Sequence, residues 1–293
     1  MIWCDPQTGT CTVPAPEDTG DDVQPEAPPV GVRIMSVTDP ICSACWGMEP
    51  AWRSLMARYG DLVDVALLYG GLLPSWDGFS DPGAGISGPA DVASHWDEFS
   101  RVSGQPIDSS VWFTDPLASS YPACTAAIAV RLVAPGKQSA YLRHIRELLF
   151  LQARNIARLD VLRDAAAAVG VDLVAFDRVL ADGSAVASFA ADRRLTRQLR
   201  VRGFPTTIVS GPAGRLVLHG AIARDRLENA LLACVELQPR PHLNTAVAVE
   251  RLRVGTTAEY AAVLGLSRPQ AEHALTAAGI RSQPVGAGDV WIP

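Results

Sequence analysis

The chain has 293 residues, of which 48% are hydrophobic and 19% charged, and its formal net charge is −6. The length suits one large domain or two ordinary ones, and the apolar fraction supplies a core, which excludes wholesale disorder. No apolar run approaches the roughly 20 residues of a membrane-spanning helix, and the net charge excludes the basic field that non-specific nucleic-acid binding needs.

In chain order, residues 1–30 carry Asp5, Glu17, Asp18, Asp21, Asp22 and Glu26 and no Lys or Arg, so this stretch alone accounts for the −6. Met1 to Pro6 has neither a basic start nor an apolar stretch, so a cytoplasmic protein is expected rather than a secreted one. Residues 12–30 are rich in Pro and acidic side chains and poor in bulky apolar ones. Such a composition does not offset its ordering entropy, and residues 1–30 are expected to be a disordered arm that tethers the Cys4–Cys11 segment.

Order is expected from Val32 to Val37, a strand-like apolar run that ends at Thr38-Asp39-Pro40. A cysteine pair follows, then a helix from Trp46 to Tyr59 closed by Gly60, and a second strand from Val63 to Tyr69. Strand, helix, strand reads as a parallel βαβ unit. Residues 71–120 are Gly-, Ser-, Pro- and Trp-rich and weakly periodic, which reads as loops with short helical pieces. From Pro122 to Leu199 the pattern is helical, punctuated by Gly and Pro. Thr206 to Ser210 and Leu216 to His219 read as a β-hairpin, and Arg224 to Leu237 as a closing helix. Pro239-Arg240-Pro241 marks a boundary. In residues 239–293, Thr256 to Leu264 and Arg268 to Ala278 form two short helices around a Gly265 turn. A hairpin around Gly286-Ala287-Gly288 follows, a pattern like a winged helix-turn-helix.

The chemistry concentrates at Cys42-Ser43-Ala44-Cys45, after a strand and at the start of a helix. A thiolate at a helix N-terminus meets unpaired backbone N–H groups and the positive end of the dipole, which lowers the first cysteine's pKa. Cys42 is then the exposed attacker and Cys45 the resolving thiol. The alternatives are half of a zinc site or two inert core thiols. A structural zinc site needs four ligands, and His95, His144, His219, His242 and His273 match no ligand spacing. No metal and no cofactor beyond the Cys42–Cys45 disulfide is therefore expected. A second feature, Gly203-Phe204-Pro205-Thr206-Thr207, puts a proline at a strand entry, the mark of a turn or a cis bond.

These two motifs, with a hairpin and a final helix after the second, resemble the thioredoxin fold. The long, mostly helical insertion between them, about residues 71–200, resembles the DsbA branch. More narrowly, Asp39 to Pro50 and Ser120-Tyr121-Pro122-Ala123 are similar to FrnE-like oxidoreductases and to the SpxH-type adaptors of ClpXP proteolysis. The resemblance covers about residues 32–238. It implies an α/β thioredoxin fold with a DsbA-type insertion over residues 31–238, followed by the small winged-helix-like unit. It also implies that Pro205 is cis beside the cysteines, and that Phe204, Pro205 and Thr206 form an edge that receives a substrate backbone. Trp46 would border that site. Implied partners are proteins or small molecules bearing thiols or disulfides, or a protease system served by an adaptor. Ser43-Ala44 lacks the Pro or His common between the cysteines of strong oxidants, so the direction of electron flow stays open.

Three sets of residues lie outside this pattern. Cys4 and Cys11 flank an Asp-Pro and Thr-Gly turn and make a second redox pair, a metal clip or two ordinary tail thiols. Cys124 and Cys234 read as small buried apolar residues. The final unit is net +1, and its second helix offers Arg268, Gln270, Glu272 and His273, a poor phosphate-binding set, so protein docking is expected there rather than DNA.

Overall fold

The computed structural model describes residues 3–5, 10–12, 31–81 and 85–293. Its central sheet has four strands: β3 (Arg33–Thr38), β4 (Asp64–Tyr69), β6 (Thr206–Gly211) and β7 (Gly214–His219), in the order β4-β3-β6-β7. β3 runs parallel to β4 and antiparallel to β6, and β6 turns back into β7 through Pro212-Ala213. The inner strand β3 is covered on both faces, and Ile34 and Val37 are wholly buried.

Between β3 and β4 the chain forms α1 (Ser43–Gly47) and α2 (Glu49–Tyr59). The single helix expected from Trp46 onward is two, because Pro50 sits in the first turn of α2 and cannot supply the N–H that would continue α1. α2 and α10 (Arg224–Cys234) cover one face of the sheet, with Leu55, Tyr59, Leu227 and Leu231 against Ile34 and Val209.

The other face meets the insertion: α3 (Pro89–Ser103), α4 (Val111–Thr114), α5 (Tyr121–Val133), α6 (Gln138–Gln152), α7 (Leu159–Ala168), α8 (Leu173–Ala181) and α9 (Ser184–Gln198). Residues 71–120 are more ordered than their composition suggests. α3 starts at Pro89 after Gly88, with Asp91 accepting hydrogen bonds from the Ser87 and Gly88 N–H groups, and it buries Val92, Ala93, Trp96 and Phe99 on one face. Trp96 packs on Trp112 and Phe150, with ring centroids 5.2 and 4.7 Å away. The expected thioredoxin fold with a helical insertion is the fold observed.

After α10 come α11 (Thr245–Leu252), β8 (Gly255–Thr256), α12 (Thr257–Leu264), α13 (Arg268–Ala277) and the hairpin β9 (Arg281–Val285) and β10 (Gly288–Ile292), with sheet order β8-β10-β9. These elements share a core of Tyr260, Val263, Leu275 and Trp291. They also press onto the rest of the chain. The hairpin turn passes so close to the segment after α3 that a Cβ on Gly286 would lie 2.1 Å from the Ile107 carbonyl oxygen. Arg268 donates to the Ser103 carbonyl at 2.8 Å.

The N-terminal arm differs from its expectation in part. Two short strands, β1 (Trp3–Asp5) and β2 (Thr10–Thr12), pair antiparallel, and β2 pairs with β5 (Gly203–Phe204). A short strand edge offers unpaired N–H and C=O groups, and β2 takes its place by pairing with them. The rest of residues 1–30 lies outside the described residues.

Candidate active site: a closed dithiol beside a proline edge

β3 delivers Thr38 and Asp39 to the site, and the chain turns at Pro40-Ile41 into α1. Cys42 is the N-cap of α1, with extended backbone (φ −74°, ψ 111°), and its Sγ accepts the Cys45 N–H at 3.2 Å. α1 has five residues, so what acts on Cys42 is this local N–H rather than a long-helix dipole.

The expectation of an exposed, low-pKa Cys42 does not hold in this conformation. Cys42 is 0% exposed and Cys45 4%. Burial pushes the Cys42 thiol well above its ordinary value, and the neighbouring Cys45 thiol and Asp39 carboxyl add to the rise. Burial acts on Cys45 in the same sense. There it is outweighed by the hydrogen bond from Cys42, the Arg146 charge and the Thr38 hydroxyl, so Cys45 lies below its ordinary value. The two thiols titrate as a unit. A single thiolate is favoured by the cation and the shared hydrogen bonds, and a second is opposed by like charge and burial.

Two charged groups that the sequence reasoning left unassigned shape this site. Asp39 is fully buried and accepts from the Ile41 and Leu72 N–H groups at 3.0 and 2.6 Å, from Ser120 Oγ at 2.9 Å and from Cys124 Sγ at 3.4 Å. Burial raises its pKa against those hydrogen bonds. Cys124 is buried, as its sequence context suggests, but as an S–H donor to Asp39 rather than a purely apolar filler. Arg146, on α6, donates to Glu49 at 2.6 Å, to Thr38 Oγ1 at 2.5 Å and to the Asp39 carbonyl at 3.3 Å. Asp39 and Glu49 lie within the Asp39–Pro50 motif, so their positions were in view. Arg146 carried no local signal, because its task depends on how α6 packs a hundred residues away.

The other expected site residues fall into two groups. Phe204-Pro205 is a cis peptide, and Pro205 borders a cavity of about 770 Å³ that Cys45, Glu49, Arg143 and Arg146 also line. The Phe204 ring is buried where a Cβ on Gly70 would come within 1.9 Å of it, so Gly70 is what makes room for it. Thr206 is buried, pairs with Val37 of β3 and donates to the Gly203 carbonyl at 2.7 Å. These three residues thus sit where β6 enters the sheet beside the dithiol strand.

Trp46 does not border the site as a contact surface. Its ring is 0% exposed, donates to the Pro106 carbonyl at 3.0 Å, stacks on Phe150 at 5.2 Å and lies 4.5 Å under the Arg143 guanidinium. A buried ring with its N–H satisfied and packed against both a ring and a guanidinium is structural. Among the described residues, no three His, Cys, Asp or Glu side chains converge on a metal-holding position.

Arg143 leads from the dithiol to the final unit. It holds Glu259 of α12 with two hydrogen bonds, 2.6 and 3.0 Å, and Glu147 with a third at 2.7 Å. Gln105 and the Thr256 N–H complete the shell of Glu259, which is wholly buried. Burial raises the pKa of Glu259 and of Glu147, but the Arg143 charge outweighs it and holds both below their ordinary value.

A family model described as Thioredoxin matches residues 36–214, more than half of the chain. This chain belongs to the thioredoxin family. Within it, the fold is of the DsbA type, and the curated relatives are SpxH proteins, each described as a ClpXP adapter protein. SpxH of Halalkalibacterium halodurans is 29% identical over 70% of this chain and 66% of its own length, and that of Shouchella clausii is 31% identical over 70% and 65%. The match therefore spans just under two thirds of those two relatives. SpxH of Bacillus subtilis is 26% identical over 82% of this chain and 81% of its own. Among solved thioredoxin-fold structures, the cytosolic disulfide reductase DsbM of Pseudomonas aeruginosa superposes with TM-score 0.53 at 24% identity, covering 69% of this chain and 93% of that one. A Nitrosomonas europaea chain described as a candidate protein disulfide isomerase gives TM-score 0.59 at 22% identity, over 69% and 96%. Among the described residues, no helix of this thioredoxin-family chain is long and apolar enough to cross a membrane.

Proposed function

We propose that the chain is a cytoplasmic thiol–disulfide oxidoreductase that exchanges disulfides with proteins or small thiols through Cys42 and Cys45. The observation that carries this reading is the capped dithiol itself: Cys42 Sγ accepts the Cys45 N–H at 3.2 Å at the start of α1, and the Arg146 cation favours a thiolate at Cys45. In one turnover Cys42, once uncovered and once its proton has passed to the Cys45 thiolate, attacks a sulfur of the substrate disulfide. The substrate S–S bond breaks, a mixed disulfide forms, and one substrate thiolate leaves. Cys45, deprotonated, then attacks the Cys42 sulfur and releases the second substrate thiolate. Pro205 would face the substrate backbone, which must displace β2 from the Gly203–Phe204 edge to pair there, because Thr206 is already paired on both sides within the sheet. Because Cys42 is fully buried, exchange also needs an opening step that uncovers its sulfur.

The description of the SpxH relatives as ClpXP adapter proteins favours a second reading, in which the chain delivers a regulator to a protease and the thiols act as a redox switch. The two readings separate in a Cys45→Ala chain, where Cys42 attacks but is not released. Recovery from cells of many clients freed only by reductant supports exchange. Recovery of one or two partners freed without reductant, such as an unfoldase or a transcription factor, supports the adaptor. Full exchange activity in Cys42→Ser sinks the first reading outright.

A further inference from the structure

The Cys4–Cys11 pair has a defined place in the fold. In the antiparallel pairing of β1 with β2, Cys4 is the direct partner of Cys11. Direct partners in an antiparallel pair lie on one face of the ladder with Cα atoms about 4.5–5.5 Å apart. That spacing falls inside the roughly 4.4–6.8 Å that a disulfide spans. The same β2 pairs with β5, with Cys11 opposite Phe204 and Thr12 opposite Gly203. Phe204 is bonded to Pro205, which lines one cavity with Cys45, and the next residue, Thr206, pairs with Val37, five residues before Cys42. The backbone therefore brings two cysteine pairs to one strand edge: one on the hairpin that occupies it and one at the dithiol it borders.

We infer that the β1–β2 hairpin is an intramolecular redox partner of the Cys42–Cys45 pair, docked on the Gly203–Phe204 edge by strand addition. The exchange balances within the chain. Once an opening step uncovers Cys42 and its proton passes to the Cys45 thiolate, Cys42 attacks the Cys11 sulfur of a Cys4–Cys11 disulfide, so the 4–11 bond breaks, a 42–11 bond forms and Cys4 leaves as thiolate. The Cys45 thiolate then attacks the Cys42 sulfur, so the 42–11 bond breaks, a 42–45 bond forms and Cys11 leaves as thiolate. Two electrons pass to the hairpin, and the two protons lost by Cys42 and Cys45 are taken up by Cys4 and Cys11. The reverse sequence reduces the Cys42–Cys45 disulfide. The attack falls on Cys11 because β2, not β1, pairs with the edge. This inference adds to the exchange reading a resident partner that an external substrate must displace.

The test uses the full-length Cys45→Ala chain at low micromolar concentration, prepared reduced and then given oxidised glutathione as the probe oxidant. Quenched samples are digested with trypsin and mapped without reduction, and the peptide ending at Arg33 carries Cys4 and Cys11 apart from the peptide that carries Cys42. The expected result is a Cys42–Cys11 crosslink within one chain, formed at a rate independent of protein concentration and absent in Cys11→Ser. A second chain adds Thr10→Pro and Thr12→Pro, which remove ladder N–H groups of β2 and leave every remaining cysteine in place. It should form the crosslink at least about tenfold more slowly, because the local concentration set by docking is lost. An unchanged rate in that chain would overturn the inference, since a loose tail then suffices. So would Cys42 acquiring only glutathione, with no internal crosslink, and that outcome would leave the exchange reading standing. Cys42 acquiring neither glutathione nor an internal crosslink would instead overturn the exchange reading itself.

Discussion

Arg146 joins the thiols to the rest of the molecule through one guanidinium that meets Glu49, Thr38 and the Asp39 backbone. Its charge is one of the causes that hold Cys45 below its ordinary value, so Arg146→Met should raise the first titration of the pair. The sign follows directly. The thiolate fraction rises with pH through that first value, so the alkylation rate of the pair should climb at higher pH in Arg146→Met than in the wild type, with Arg146→Lys between them. Arg146→Met also removes the closest of the three cations around Glu49, which keeps Arg143 at 3.7 Å and Arg53 at 3.8 Å, and should cost about 1.5–3 kcal/mol in urea unfolding. The dithiol, Asp39 and Glu49 were all legible as residues in one short motif. The burial of Cys42 was not, because spacing along a chain says which groups are near and nothing about what covers them.

Local stability is set by caps and by aromatic contacts between helices. Thr256 caps α12: its Oγ1 accepts the Glu259 N–H at 3.2 Å while the Glu259 carboxylate accepts the Thr256 N–H at 3.0 Å. Thr256→Ala should cost about 1–2 kcal/mol in chemical denaturation, since the hydroxyl also bonds Gln105. α3 depends more on packing, and Trp96→Ala should cost about 3–5 kcal/mol by the same measurement, through loss of its contacts with Trp112 and Phe150. The helices of the insertion from α5 on were readable because Gly and Pro fall at their ends. α3 was obscured because its apolar face lies in a stretch dominated by Gly, Ser and Pro, where composition argues against a helix. The strands β1 and β2 are three residues each and depend on pairing with residues two hundred positions away, a contact that no local pattern carries.

At the scale of the whole molecule, the final unit is joined to the thioredoxin fold by a buried set of charges in which Arg53, Arg143 and Arg146 face Glu49, Glu147 and Glu259. Glu259 lies below its ordinary 4.5 in the folded chain, so its contribution to stability is present above that value and is lost as pH falls through the folded one. Glu259→Gln should be less stable than the wild type at neutral pH. Its stability should also fall less on acidification, as read by urea midpoints across the pH range. Residues 239–243, mostly exposed between α10 and α11, should be cut faster by protease in that variant. The final two-helix pattern was visible in sequence. The joint was not, because its members are spread from Glu49 to Glu259 and each reads alone as an ordinary surface charge.

Gly286 gives a mechanical handle on that joint. Its turn touches the backbone of Ile107, where no side chain can yield, so Gly286→Ala acts as a wedge that pries the final unit outward without altering any thiol or charge. A molecule opened in this way keeps both thiols while the contact of the final unit with residues 103–107 loosens. Comparing the alkylation rate of its thiols with that of the closed form would therefore measure whether the packing of the final unit bears on access to the Cys42 sulfur.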